Sequence, residues 1–382
     1  MQANSAGGAA SSSSSSAGRS VVEQILDVAR WAPSGDNTQP WRFEIVDARH
    51  VVVHGFDTRD HCVYDLTGHP SQISLGALLE TITIAASGHG LKALVQRRDG
   101  MPDTRPTFDV SFTADAGITA DPLIACIPRR CVQRRPMRTR PLSAEERSAL
   151  EAAVGSGYRI FWLEGFANRY RAARLMFNNA KLRLTIPEAY EVHRSIIEWN
   201  ARYSEDRVPD QALGADPMTT RLMRWVMQSW QRVEFFNNYL AGTLAPRIQM
   251  DLLPGIACAA HFAIVPEREA RTIDDFVAAG RAVQRFWLCA TRLGLQLQPE
   301  MTPLIFGKYA RENIAFTKKP GGMALAQRLS KQTVDLMGND ALLAVFMGRI
   351  GAGEAARARS LRTPLDRLML RADGDSPHGR SS

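Results

Sequence analysis

The stretch that decides the reading of this chain is Ala32-Pro-Ser-Gly-Asp-Asn-Thr-Gln-Pro-Trp41. Just ahead of it, Ser20 and Glu23 form a capping box, and Val22, Ile25, Leu26 and Ala29 recur at helical spacing. The spacing predicts a helix buried along one face. Pro33 pushes Ala32 out of helical dihedrals, Gly35 tolerates a positive φ and Asn37 can bond its own backbone, so the helix must stop there. A strand, Trp41-Arg-Phe-Glu-Ile-Val46, begins immediately after Pro40. The turn between them is short, and its Pro33, Ser34, Gly35 and Asn37 can present a flat surface to a planar ligand.

The whole chain has 382 residues, 45% of them hydrophobic, enough to bury one large core or two smaller ones. Residues 1–19 are mostly Gly, Ala and Ser and read as a disordered lead segment; 371–382 read as a flexible tail. The lead lacks a basic stretch followed by an apolar one, so it is a poor export signal, and the expected location is cytoplasmic. No apolar run approaches the ~20 residues that span a bilayer. The five cysteines make no C-x-x-C pair and read as reduced space-fillers. His50, His54, His61, Cys62 and His69 match no zinc spacing, and no metal is expected. The net charge of +8 favours anionic ligands. Its densest part is Arg129, Arg130, Arg134, Arg135, Arg138 and Arg140, but no aromatic lies between Cys126 and Tyr158. A nucleic-acid surface interleaves such charges with stacking rings, so the cluster reads as a solvated face or as a phosphate clamp.

The chain also resembles itself. Ser20 with Glu23 and Ser143 with Glu146 open helices with the same capping box, and Trp41–Val46 answers to Tyr158–Leu163. Gly76 and Gly90 bracket a long apolar helix as Gly280 and Gly294 bracket another, each followed by an extended segment. These pairs imply a first half over 20–125 and a second over 126–370. The offset is 123 for the serines and 204 for the glycines, so the second half carries about 81 extra residues, within about 163–251. That excess is expected to be helical over 168–184, 189–202 and 219–240; its aromatics at helical spacing read as core, and an excursion of this size beside a ligand site also suits a lid. Further strands are expected at 51–54, 107–113, 257–265 and 342–346, giving an α+β layered fold. Gly348-Arg-Ile-Gly351-Ala-Gly353 reads as a turn into the tail, too close to the end for a dinucleotide-binding unit.

The Ala32–Trp41 run strongly resembles the flavin-contacting turn of the nitroreductase family, and the resemblance extends over about 20–370. Typical members are homodimers with a flavin at the interface. One subunit supplies the turn; the other supplies an Arg-Arg-Ser-x-Arg-like motif and a basic pair near its end. Here the first half has the turn and the second has Arg134-Arg-Pro-Met-Arg138, with Pro136 in place of the serine. The chain thus looks like the single-chain, internally duplicated branch often called Acg-like, a monomer that mimics a dimer.

The resemblance implies that Pro33, Ser34, Gly35 and Asn37 contact the ring and ribityl side of FMN. It places Arg134, Arg135 and Arg138 at the phosphate and the pyrimidine edge, and Arg359 and Arg362 at the phosphate. Gln298, Pro299 and Glu300 match the loop whose amide faces the flavin N5, although the glycine usual after it is missing. The implied activity is ping-pong hydride transfer from NAD(P)H through the flavin to an electron-poor acceptor such as a nitroaromatic or quinone, with no side chain required as acid or base. The alternative is a non-catalytic descendant that sequesters flavin or serves in a stress response with its pocket closed.

Overall fold

A computed structural model describes residues 18–240 and 242–370. The expected disordered lead, apart from residues 18 and 19, and the expected tail lie outside the described residues. The first unit opens with α1 (Val21–Ala29), whose Ser20 hydroxyl accepts from the Glu23 amide while the Glu23 carboxylate accepts from the Ser20 amide. Val22, Ile25, Leu26 and Ala29 are buried, as the spacing requires. Then come β1 (Trp41–Asp47), β2 (His50–Gly55), α2 (His69–Ser87), β3 (Leu91–Arg97) and β4 (Thr107–Ala114). The strands form an antiparallel sheet in the order β1-β2-β4-β3, with Phe43, Val51, Val53, Phe108 and Val110 in its core.

The second unit contains α3 (Ala144–Ala153), capped by the same Ser143–Glu146 box, then β5 (Tyr158–Glu164). The helical excursion follows, as α4 (Gly165–Thr185), α5 (Pro187–Ile196), α6 (Pro217–Val226) and α7 (Trp230–Tyr239). The unit resumes with β6 (Ala260–Pro266), α8 (Ile273–Arg292), β7 (Leu295–Pro299), α9 (Thr302–Arg311), α10 (Gly322–Met337) and β8 (Phe346–Ala352). Its sheet is antiparallel in the order β5-β6-β8-β7. Strand for strand, this is the order of the first sheet, and α2 and α8 occupy the same place in the two sequences.

α2 and α8 pack against each other through glycines. A Cβ built on Gly76 would run into the Val277 carbonyl oxygen and lie 2.9 Å from the Gly280 Cα; one on Gly280 would run into the Ile73 carbonyl and lie 2.9 Å from the Gly76 Cα. The contact is reciprocal, each glycine meeting the carbonyl three residues before the other, which is the self-complementary pattern of a two-fold interface. Around it Gln284 donates to the Thr81 hydroxyl at 2.8 Å, and Glu80 pairs with Arg281 and Arg285. The units also exchange side chains: Ile273 and Val277 of α8 enter the first core, and Ile73 of α2 enters the second. Near the end of the chain, Leu365 and Leu368 cross back to the first core, where Leu370 donates to the Phe43 carbonyl at 2.7 Å.

Four expectations about local structure are corrected. The strand expected at 342–346 is a helical turn, Asp340–Leu343, and the glycine-rich run expected as a turn lies largely within β8, a central strand of its sheet. Glycine is needed there for close approach and not for a bend: a Cβ at Gly348 would sit 2.8 Å from the Gln298 carbonyl oxygen and one at Gly351 2.9 Å from the Ala259 amide. The helix expected over 219–240 is two helices, because Ser229 turns extended and caps α7 by accepting from the Arg232 amide. The helix expected over 189–202 stops at Ile196, where Ile197–Glu198 pairs with Val208–Pro209 and Asn200 takes a φ of 60°. No described helix is long and apolar enough to cross a membrane.

Beneath the second sheet lies a fully buried ionic group. His261 binds the Glu300 carboxylate at 2.7 Å through Nδ1 and the Gly255 carbonyl at 2.8 Å through Nε2. Two acceptors leave the imidazole both its protons, so it is a cation. Burial opposes that charge, but Glu300 holds the His261 pKa up at about 10. Arg349 donates to Glu300 and to the Arg134 carbonyl, linking the group to the cavity described below.

Two outcomes follow from this architecture. Gly76→Ala or Gly280→Ala should force α2 and α8 apart and lower the free energy of unfolding in urea by about 2–3 kcal/mol or more; an unchanged midpoint would contradict the glycine contact. Because the folded pKa of His261 is raised, its stabilisation is fully present below about pH 6.5 and is lost as pH rises through about 10. The thermal midpoint should therefore fall between pH 7 and pH 10 in the native protein. His261→Gln should start lower and lose that slope.

Candidate functional site

A cavity of about 350 Å³ lies where the two units, the helical excursion and the C-terminal segment meet. That volume falls in the ~300–1,000 Å³ range of small-molecule sites. Pro33, Ser34, Gly35 and Asn37 line it from the first unit, Arg130, Arg134, Gln298 and Pro299 from the second, and Arg359 and Arg362 from the returning end of the chain.

The turn is held in an unusual shape. Asp36, Asn37 and Gln39 have φ of 50°, 62° and 48°, a region costly for most side chains but tolerated by Asp and Asn. The Ser34 hydroxyl closes the turn by accepting from the Gln39 amide at 3.0 Å. Asn37 donates to the Glu205 and Arg207 carbonyls at 3.1 and 3.2 Å, and Gln39 donates to the Glu205 carbonyl at 2.9 Å. The amide donors of Asn37 are therefore committed to the excursion's loop, just ahead of Val208 in the cavity lining. On its other side that loop is held by Ser360, which donates to the Arg207 carbonyl, and by Arg359–Ser360 paired with Tyr203–Ser204.

One end of the cavity is strongly cationic, and the Asp36 carboxylate of the turn faces Arg134 and Arg183 there without reaching ion-pair distance. Arg130 and Arg362 are buried, yet among the described residues Arg130, Arg134, Arg359 and Arg362 form no ion pair with a carboxylate. Their donors meet backbone carbonyls: Arg130 that of Trp31, Arg359 that of Arg130, and Arg362 that of Ala32. Arg130 lies 4.5 Å over the Trp287 ring, and Arg359 lies 5.2 Å over Trp31. Burial, and next the neighbouring Arg359, bring Arg130 down to about 9; burial and then Arg130, Arg359 and Arg30 carry Arg362 well below its ordinary value. Such a cluster repels itself and calls for an anion.

Polar atoms without partners gather at the same place. Of ten buried side-chain nitrogen and oxygen atoms left unbonded among the described residues, five belong to cavity residues: Asn37 Oδ1, Arg130 Nε, Gln298 Oε1, Thr302 Oγ1 and Arg359 Nε. Buried polar groups are ordinarily satisfied, so this concentration marks a site whose partners come from a ligand.

Three expected residues lie elsewhere. Arg135 and Arg138 are exposed and outside the lining. The reason is backbone register: Val132 bridges Leu297 on β7, while the Met137 and Arg138 amides donate to the Ala257 and Ala352 carbonyls, so only Arg134 of the motif turns inward. Glu300 is buried one layer below, in the His261 group, and its amide is taken by the Met347 carbonyl at 2.8 Å. Arg130 and Thr302 were not singled out from the sequence. Arg130 belongs to the basic cluster that read as a clamp, whereas nothing in the spacing marks Thr302.

The lining also carries groups held neutral: Cys62, buried, and Tyr64 and His193, half-buried. Burial and then Arg183 bring His193 down to about 3, while burial and then Asp36 push the Cys62 thiol up to about 12. Burial also raises Tyr64, whose hydroxyl lies 2.9 Å from His193 Nε2. Cys62 is thus no thiolate nucleophile. Among the described residues no group of three or more His, Cys, Asp or Glu is placed to hold a metal ion; His50 and His54 pair with Asp109 and Glu44, and His69 stacks on Phe276. The arrangement suits a flat ring system against the turn, with a phosphate at the arginines.

No curated protein matches the chain. A nitroreductase-like family protein from Bacillus cereus aligns with it at 13% identity and a TM-score of 0.33, over 68% of this chain and 100% of that one. The Nitroreductase family model matches residues 18–67, a segment that runs from the cap of α1 through the turn and both strands of the first hairpin. In that segment, the one that builds the turn wall of the cavity, the chain carries the signature of the nitroreductase family.

Proposed function

We propose that the chain is an FMN-dependent oxidoreductase whose single flavin site lies in the cavity between its two units. The observation that carries this reading is the cluster of Arg130, Arg359 and Arg362, which has no carboxylate partner among the described residues and faces a turn of nitroreductase-family sequence. Bound there, FMN would supply the chemistry of hydride transfer between a nicotinamide donor, NADH or NADPH, and an electron-poor acceptor such as a nitroaromatic or quinone. The residues that would hold it are Pro33, Ser34 and Gly35 beside the ring, and Arg130, Arg134, Arg359 and Arg362 at the anionic end. Phosphate satisfies several guanidinium donors at once, and Arg offers them in a planar fork.

Supporting residues set the position and the charge of this site. Arg349 grips the Arg134 carbonyl at 2.8 Å, so the His261–Glu300 group fixes the segment from which Arg134 reaches the cavity. His193 and Tyr64 add no charge to a wall that Asp36 and Arg183 also line.

The matching strand orders and the reciprocal glycine contact support an internal duplication, with one chain doing the work of two subunits as a monomer. Only the first unit keeps the turn, so one site is expected per chain. A second reading, flavin sequestration without turnover, draws support from the Asn37 and Gln39 bonds that tie the 205–207 loop to the turn beside the cavity. It predicts bound FMN that NAD(P)H does not bleach.

Substitution of the arginines tests the proposal. Arg130→Gln and Arg362→Gln should each weaken FMN binding ten- to a hundredfold, since a hydrogen bond to a charged group contributes about 1.5–3 kcal/mol. Neither should lower the thermal midpoint of the flavin-free chain, because each removes a buried charge that has no counter-ion. Arg138→Ala, on the exposed side, should bind FMN as the native protein does. FMN affinity unchanged by the first two substitutions would defeat the proposal.

A further inference from the structure

A second cavity, of about 200 Å³, lies wholly within the helical excursion. Its walls are apolar, with Leu222, Met223 and Val226 from α6 and Val233 and Phe236 from α7. The polar groups near it are spent internally: Asn237 donates to the Leu184 carbonyl and Tyr190 to the Met227 carbonyl. α6 places an apolar stripe against this space, yet none of its residues is buried. An amphipathic helix is ordinarily held by burial of that stripe. Here the packing is left incomplete where the cavity stands, and methionines at its edge adapt readily to a guest.

The two cavities share a wall. Arg183 and His193 line both, so only those two side chains stand between the second space and the first. Arg183 engages Asp251 through one terminal nitrogen, at 3.1 and 3.2 Å; its other donors have no protein partner among the described residues. His193 is turned to Tyr64 and uncharged. The junction therefore combines one guanidinium with free donors, a neutral imidazole and an apolar chamber behind them. That is the setting for a molecule with a carbonyl-bearing head and a hydrocarbon tail.

We propose that the excursion is a tail-binding chamber, and that the acceptor is a quinone-like molecule whose head lies in the main cavity beside Arg183 and whose apolar chain fills the space between α6 and α7. This inference rests on the oxidoreductase reading above for the role of the head, though not for the binding of the tail. A compact acceptor would leave the chamber empty; a tailed one would supply the apolar contacts that α6 lacks. Each CH₂ removed from water strengthens binding about fourfold, so two buried groups already give on the order of tenfold.

The test compares a benzoquinone ring without a side chain with the same ring bearing a decyl tail, decylubiquinone. Binding is measured by calorimetry on the full chain with and without added FMN. The native protein should bind the tailed quinone at least tenfold more tightly. Met223→Trp, or the milder Val226→Phe, should abolish that advantage by filling the chamber while leaving the tailless ring bound as before. Equal affinities in the native protein, or a tail advantage that survives both substitutions, would overturn the proposal. A tail advantage in a chain that takes up no FMN would uphold the chamber and remove the flavin reading; FMN bound with no tail advantage would do the reverse.

Discussion

The contact between Gly76 and Gly280 is the constraint from which the rest of the structure follows. Two long helices approach until each glycine lies against the other helix's backbone, and no side chain larger than hydrogen fits at either position. That approach draws two sheets of identical strand order into one body and lets Ile73, Val277 and Ile273 reach the opposite core. It also determines where the turn of the first unit meets the arginines of the second. A cavity assembled from segments nearly a full chain length apart, Pro33 to Arg362, needs a fixed relation between units more than it needs any single side chain.

Within that frame the site is built against its own stability. Arg130, Arg359 and Arg362 crowd together without a carboxylate, and Asp36, Asn37 and Gln39 hold left-handed dihedrals beside them. Features of this kind persist where surrounding structure over-determines them, and they concentrate at ligand sites. The surroundings here are the Asn37 and Gln39 bonds to the 205–207 loop, the aromatic faces of Trp31 and Trp287, and the Arg349 grip on Arg134. The excursion is thus more than a cover: its loop is one of the braces of the turn.

Much of this was legible in the sequence where the signal is local. The capping boxes at Ser20 and Ser143, the buried stripe of α1 and the stop at Pro33 and Gly35 depend on residues within a few positions of one another. The helices bracketed by Gly76 and Gly90 and by Gly280 and Gly294 were legible from their common spacing, but the contact of Gly76 with Gly280 was not. What stayed hidden depends on register between distant strands. Arg134 and Arg138 look alike in sequence, but the bridge from Val132 to Leu297 turns one inward and leaves the other in solvent. Gly348 reads as a turn until the carbonyl of Gln298 is found against it, and nothing near Asn37 in sequence shows that the 205–207 loop takes its donors while its Oδ1 stays unbonded in the cavity lining.

The central claim is one asymmetric flavin site per chain, with the turn from one unit and the arginines from the other. The measurement that reaches it most directly is a stoichiometric titration of the purified chain with FMN, followed by quenching of flavin fluorescence, with the molar mass read by light scattering on the same sample. The account predicts saturation at one FMN per chain on a particle of one chain's mass. Two flavins per chain would mean that the second unit keeps a working turn, and no binding at all would mean that the arginines serve another anion. Either result would contradict the account.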